Sequence, residues 1–249
     1  YFFFFFIFMN SIVFPGQGSQ YVGMCKNWYE NFDEAKRVFN EADKILNEPL
    51  SNIIFQGPEE DLTKTNNAQP AILVSSIALL EVIKSQKKID LNNFCKFLAG
   101  HSLGEYTALY ASEALDFQSV LKLVKHRGIL MSKSDKTGKG KMAAIIGLKI
   151  SEIEKILKDI KEEGVCEIAN DNSEGQVVIS GHKEAVDSFK SIAKNCGAKL
   201  TIDLKVSAPF HCKLMRDAAT KMNTEINKIS FNQFKVPIVS NVKAIPCNN

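Results

Sequence analysis

A chain of 249 residues has room for one large domain or two smaller ones. Hydrophobic residues make up 45% and charged residues 24%, the balance of an ordinary globular protein, and a formal net charge of +3 is too small to argue for nucleic acid. The six cysteines (Cys25, Cys95, Cys166, Cys196, Cys212, Cys247) are scattered, with no C-x-x-C and no Cys/His ligand spacing; this argues against zinc and a disulfide framework and for reduced thiols in a reducing compartment.

Residues 1–8 are nearly all aromatic, and far too few to span a bilayer, which takes about 20. The segment is either the tail of a signal-peptide apolar region or, the favoured reading, an artefact ahead of a natural start at Met9. It is left out of the fold. Ile12-Val13-Phe14 reads as a short buried strand, broken by the Gly-rich loop Pro15 to Gln20. That loop is able to present N–H groups to an anion, but no G-K-[ST] follows, so it is not a phosphate loop. Helical spacing of Phe32, Ala35, Val38, Phe39, Ala42 and Leu46 predicts a helix over 29–46. Asn66-Asn67 reads as a loop, Pro70 as a first helical turn, and Ala71 to Ile83 as a buried helix rather than a membrane span.

The apolar run Phe97-Leu98-Ala99 leads into Gly100-His101-Ser102-Leu103-Gly104, a G-x-S-x-G pattern, and then into a helix-like segment over 103–114. A chance match to this pattern arises in about one chain in ten of this length, so its context matters. A strand-to-helix turn of this kind lifts a serine hydroxyl above a sheet. The two glycines remove β-carbons that would clash in so tight a bend, and the N–H after the serine sits at a helix N-terminus, placed to bind an oxyanion. Asp116 then caps a helix running to Leu130, which carries His126, read as solvated, and Arg127.

Beyond a flexible linker over 137–140 the pattern changes. Strands are predicted at 142–147, 165–169, 176–180 and 199–206, with a turn at 170–175. Helices are predicted from a capping box at Ser151 to Glu154 as far as Lys161, and over 183–195 up to Gly197. Strand, helix, strand, strand, helix, strand is the ferredoxin-like split unit. Ser207 to His211 leads back to a larger part with a helix over 212–229 and a strand over 236–241. The predicted class is α/β: a large unit of 10–136 and 207–249, and an inserted subdomain of 137–206.

Six motifs, in order, carry a resemblance. They are Phe14 to Gln20, Gln69-Pro70-Ala71, Gly100 to Tyr106, Arg127-Gly128, Asn170 to Gln176, and Ser207 to His211. On these the chain resembles the malonyl-CoA:acyl-carrier-protein transacylase family. The resemblance implies an α/β-hydrolase-like core with a parallel sheet and the ferredoxin-like insert. It implies ping-pong transfer of a malonyl group from malonyl-CoA to the phosphopantetheine thiol of acyl carrier protein, in fatty acid biosynthesis. Ser102 would be the nucleophile and His211 the general base and acid. The N–H groups of Gln17 and Leu103 would form the oxyanion hole. Arg127 would bind the malonyl carboxylate, and Phe210 matches the malonyl-type pattern. Gln69, His101, Asn170 and Asn172 match positions around the pocket, and each has an equally good reading as loop or helix-start structure. His182 reads as a capping or surface residue.

The family continues past this point with a segment whose backbone carbonyl orients the catalytic histidine, so the resemblance implies a C-terminal truncation. Asp203 is the only carboxylate close before His211 that an ordinary triad would have. A coenzyme A thioester as substrate, no tightly bound cofactor, no metal, no nucleic acid, no membrane and a monomer are expected, in the cytoplasm or a plastid or mitochondrial compartment. Lys133, Lys136, Lys139 and Lys141 form either a docking surface for an acidic carrier protein or a solvated loop. The alternatives are a serine hydrolase or thioesterase, which has no need of Arg127, an acyltransferase domain from a polyketide or fatty-acid multienzyme, and a non-catalytic docking module, which has no need of both Ser102 and His211.

Overall fold

Asn10–Phe14 forms the first strand (β1) of a computed structural model that describes residues 10–135, 138–160 and 164–248. The expected N-terminal extension, Lys136 and Thr137 lie outside the described residues. The chain groups into two compact units, Tyr1–Gly128 with Glu225–Asn249, and Ile129–Thr224. Among the described residues, 129–135 and 207–224, assigned from the sequence to the larger part, group with the insert.

In the first unit β1 is followed by α1 (Lys26–Asn31), α2 (Asp33–Leu46), α3 (Leu50–Gln56), α4 (Glu59–Thr63), α5 (Thr65–Lys87) and α6 (Leu91–Phe94). Then come β2 (Cys95–Gly100), α7 (Gly104–Ala111) and α8 (Phe117–Ser132), whose last four residues group with the second unit. The single helix predicted over 29–46 is two, because Phe32 adopts extended backbone (φ −131°, ψ 125°) and breaks the ladder. Ala35, Val38, Phe39 and Ala42 form the buried stripe of α2, which packs on α5. Helix α5 is apolar almost all round, as a core helix is; by length and composition it would also cross a membrane, but two thirds (67%) of its apolar window is buried in the protein. It starts at Thr65, so Asn66 and Asn67 are helical and Pro70 lies in the second turn. Burial of Ala68 to Val74 outweighs the one hydrogen bond that Pro70 cannot donate. Asp116 caps α8 as expected, its Oδ1 accepting the Ser119 N–H at 2.7 Å.

The second unit holds β3 (Gly140–Ile146), α9 (Ile150–Asp159), β4 (Cys166–Ser173), β5 (Gln176–His182), α10 (Lys183–Asn195) and β6 (Leu200–Asp203). The sheet order is β4-β5-β3-β6 with every neighbour antiparallel, the ferredoxin-like arrangement. Alternation along β3 gives each face its own core. Ala143 and Ile145 pack with Ile153, Ile156, Val186 and Phe189 of the two helices. Met142 and Ala144 pack on the other face with Val178, Ala208, Phe210 and Met215. Several boundaries differ from the expected ones. Gly140 already belongs to β3, where a β-carbon would lie 2.2 Å from Pro209 Cδ. The cap of α9 falls two residues early: Lys149 N–H donates to Glu152 Oε2 at 2.7 Å. Strand β4 runs on through Asn170 and Asn172, with register shifts after Ile168 and after Asp171, so the turn shrinks to Glu174-Gly175. The helix expected from 212 is a 3₁₀ turn at Lys213–Met215 followed by α11 (Arg216–Ile226).

Strands β7 (Ile238–Val239) and β8 (Pro246–Cys247) return to the first unit. Its sheet has the order β1-β2-β7-β8. The first three strands are parallel, as expected; β8 runs antiparallel.

Candidate active site

Parallel pairing brings Phe14 level with Gly100, so the loop after β1 and the turn after β2 leave the sheet at the same edge. His101 N–H donates to Phe14 O at 3.0 Å, and Gly104 N–H to His101 O at 3.0 Å. The turn is crowded. A β-carbon on Gly100 would lie 1.9 Å from the Gly104 carbonyl carbon, and one on Gly104 would lie 2.4 Å from Phe14 O. Neither position admits a side chain, which is why the pattern needs both glycines. Between them Ser102 takes φ 53°, a left-handed conformation that costs a non-glycine residue about 1–3 kcal/mol and persists only where the surroundings hold it. Leu103 stands at the N-cap of α7, so its N–H belongs to the donors that no carbonyl of that helix accepts.

Arg127 comes to this turn from α8. Gly128 makes the approach possible, since a β-carbon there would lie 2.9 Å from both Asn66 Cα and Thr65 O. The guanidinium donates from Nη2 to Ser102 Oγ at 3.0 Å and from Nη1 to Gln69 Oε1 at 2.7 Å. It also lies over the Tyr106 ring, 5.6 Å from the centroid. Burial is the main influence on Arg127 and pushes its pKa down from the ordinary value, against the pull of Tyr106 and Glu105. Burial likewise raises Tyr106 and Glu105; for Glu105 the Asn241 N–H and the Arg127 charge act in the opposite sense. Gln69 is buried on α5, and Gln17 Nε2 donates to Thr65 Oγ1 at the start of the same helix, at 3.2 Å. The loop of Gln17 abuts the turn: a β-carbon on Gly16 would lie 2.6 Å from His101 O. Ser102, Arg127 and Gln69 are thus one hydrogen-bonded group, with Leu103, Gln17 and His101 on the segments around it.

Asn241 was not foreseen. It lies two residues past β7; Oδ1 accepts the Ser102 N–H at 2.7 Å, and Nδ2 donates to Gly100 O at 2.6 Å.

The remaining candidates belong to the second unit. His211 is exposed and also left-handed, φ 59°, in a turn fixed by Phe210 N–H to Ala208 O at 3.0 Å and by Cys212 Sγ to Pro209 O at 3.1 Å. Phe210 is buried against the sheet, so His211 is carried on a packed anchor. Asn170 and Asn172 are strand residues of β4 rather than turn residues. His182 does not cap α10 with its side chain; its Nδ1 accepts the Val165 N–H at 2.9 Å. Asp203 is bound to Lys141 and Lys190.

Residues 11–247 match the acyl transferase domain family. The chain belongs to that family. Among curated members it is 44% identical over 235 residues to a malonyl CoA-acyl carrier protein transacylase of Bacillus subtilis strain 168, across 94% of this chain and 73% of that one. The Escherichia coli K12 protein of the same name is 44% identical over 232 residues, across 93% of this chain and 74% of its own. Among solved members of the family, an acyl-carrier-protein-S-malonyltransferase from Bartonella henselae superposes with a TM-score of 0.93 at 43% identity, covering 97% of this chain and 77% of that one. Another, at TM-score 0.91 and 38% identity over 96% of this chain and 76% of its own, is a malonyl-transacylase in complex with a type II PKS acyl-carrier protein.

Proposed function

We propose that the chain moves a malonyl group from malonyl-CoA to the phosphopantetheine thiol of acyl carrier protein, the step that supplies malonyl units to fatty acid synthesis. The observation that carries this reading is the Arg127 guanidinium, half-buried, with Nη2 3.0 Å from Ser102 Oγ. A planar cation beside a nucleophile matches an acyl group that ends in a carboxylate.

Ser102 Oγ attacks the thioester carbonyl while His211 takes its proton. The carbonyl oxygen gathers negative charge, which the N–H groups of Leu103 and Gln17 stabilise. The C–S bond breaks, coenzyme A leaves as the thiol with the proton from His211, and malonyl-Ser102 remains. The carrier thiol then attacks, passing its proton to His211, and Ser102 recovers its proton as the product leaves. The residues of this chain supply every proton transfer, so no cofactor or metal enters. Six free thiols fit a reducing compartment, cytoplasmic or organellar, and the reaction is one a monomer performs.

Mass spectrometry after mixing with malonyl-CoA tests the reading. Ser102 gains one malonyl group, and added carrier protein removes it onto its own thiol. Release as free malonate at the same rate without carrier would make the chain a hydrolase instead.

A further inference from the structure

Asn241 reaches the nucleophile from 139 residues away in the sequence, and it does so by register. Val239 of β7 pairs with Ala99 of β2; two residues further on, where the ladder has ended, Asn241 arrives beside the turn. Its side-chain amide then stands in for the ladder. Oδ1 accepts from Ser102 N–H at 2.7 Å and Nδ2 donates to Gly100 O at 2.6 Å, so one planar group grips the backbone on both sides of His101. The main chain of the same residue takes hold of the other side: Asn241 N–H donates to Glu105 Oε2, in the first turn of α7, at 3.3 Å.

We propose that Asn241 is a positioning residue for Ser102. The proposal rests on the transacylase reading only for the identity of the substrate. A left-handed serine relaxes when nothing holds it. Rotation of its peptide swings Oγ away from Arg127 Nη2 and from the Leu103 N–H, and both of those are fixed by helices of their own. Asn241 touches neither the carboxylate clamp nor the thioester, so its loss slows the attack and leaves substrate affinity alone. A misplacement of about 1 Å costs on the order of 100-fold in rate. Aspartate at this position keeps an acceptor for Ser102 N–H and loses the donor to Gly100 O. Leucine fills similar space and keeps neither.

The test compares the wild type with Asn241→Ala, Asn241→Leu and Asn241→Asp. Two readouts are taken: the rate of self-acylation against malonyl-CoA concentration, and the rate at which a fluorophosphonate probe labels Ser102. The alanine and leucine variants should acylate about 10- to 100-fold more slowly at saturation, with the half-saturating concentration unchanged, and should label more slowly by a similar factor. Asn241→Asp should recover part of both rates. Where the alanine variant melts below the assay temperature, the aspartate and leucine variants, both filling the site, decide. Wild-type labelling by Asn241→Leu, equal rates for the aspartate and leucine variants, or a rise in half-saturation at unchanged maximal rate would each overturn the proposal. A wild type that takes the fluorophosphonate but no malonyl group refutes the transacylase reading, and the labelling rates still decide the role of Asn241.

Discussion

Arg127 holds Ser102 directly, with Nη2 donating to Oγ at 3.0 Å. A carboxylate is a stronger acceptor than a hydroxyl, so in the proposed reaction the malonyl carboxylate takes over the guanidinium. Arg127→Ala therefore leaves a partly buried anion without its partner, a loss of about 2–5 kcal/mol, or roughly 30-fold to several-thousand-fold in kcat/KM for malonyl-CoA. Acetyl-CoA has no carboxylate, and its transfer should hold or rise. Arg127→Lys should recover only part, since an ammonium lacks the planar fork. Self-acylation with both donors checks this; an equal fall for malonyl and acetyl transfer would show that Arg127 only supports the fold.

The left-handed backbone of Ser102 separates two substitutions that are equally dead. Ser102→Ala and Ser102→Gly should both abolish covalent malonylation. Glycine pays no steric penalty at φ 53°, whereas alanine pays about 1–2 kcal/mol. Urea titration should find the glycine variant more stable by about 1 kcal/mol. An alanine variant at least as stable as the glycine one would mean that the turn relaxes in solution.

His211→Ala should slow both half-reactions by about 10²–10⁴-fold, the usual loss for a general acid–base. Acylation and transfer to carrier are measured separately by rapid quench. An unchanged acylation rate at neutral pH would remove His211 from the mechanism.

The lysine cluster divides. Lys141 is bound to Asp187 and Asp203 within the second unit, so Lys141→Glu should lower thermal stability. Lys133 and Lys139 are exposed, and reversing both should raise the KM for carrier protein at low salt while self-acylation holds. Unchanged carrier kinetics would make this segment a plain solvated loop.

The same ion pairs set an acid limit. Lys190 first, and Lys141 with it, hold the Asp203 carboxyl below its usual pKa. A depressed carboxylate stabilises the fold above its unfolded pKa, near 4, and that contribution is lost as pH falls through the folded value. Lys141, raised chiefly by Asp187, contributes below the ordinary lysine range and loses that contribution only as pH rises through its raised value. The unfolding midpoint should therefore drop as the pH falls below about 4, and Asp203→Asn should flatten that drop. A parent and variant with parallel pH profiles would show that the pairs carry no net stability.

Local chemistry made much of this protein legible. G-x-S-x-G located the turn at Ser102, because only glycine tolerates backbone at 1.9 Å and 2.4 Å from a β-carbon. The apolar run Met142 to Gly147, read as a strand, and the capped helix after Asp116 were equally local. What escaped depended on distant partners. Asn170 and Asn172 read as turn residues, yet pairing with β5 draws them into a strand. Pro70 reads as a helix start, yet burial carries α5 back to Thr65. Asn241 reads as the end of a strand over 236–241, yet that strand pairs only at Ile238–Val239, which leaves the Asn241 side chain to meet the turn. The cue was that a parallel strand beside β2 must end near Ser102, and that cue depends on knowing the sheet order.

The latch between Ser102 and Asn241 also orders events in time. Ser102 leaves the ribosome long before the residue that grips its N–H, and loop closure across 139 positions has to wait for β7 to find β2. Until then the Ser102 N–H lacks the Asn241 acceptor. If Asn241 positions Ser102 as proposed, chain growth completes the turn only after β7 has paired with β2.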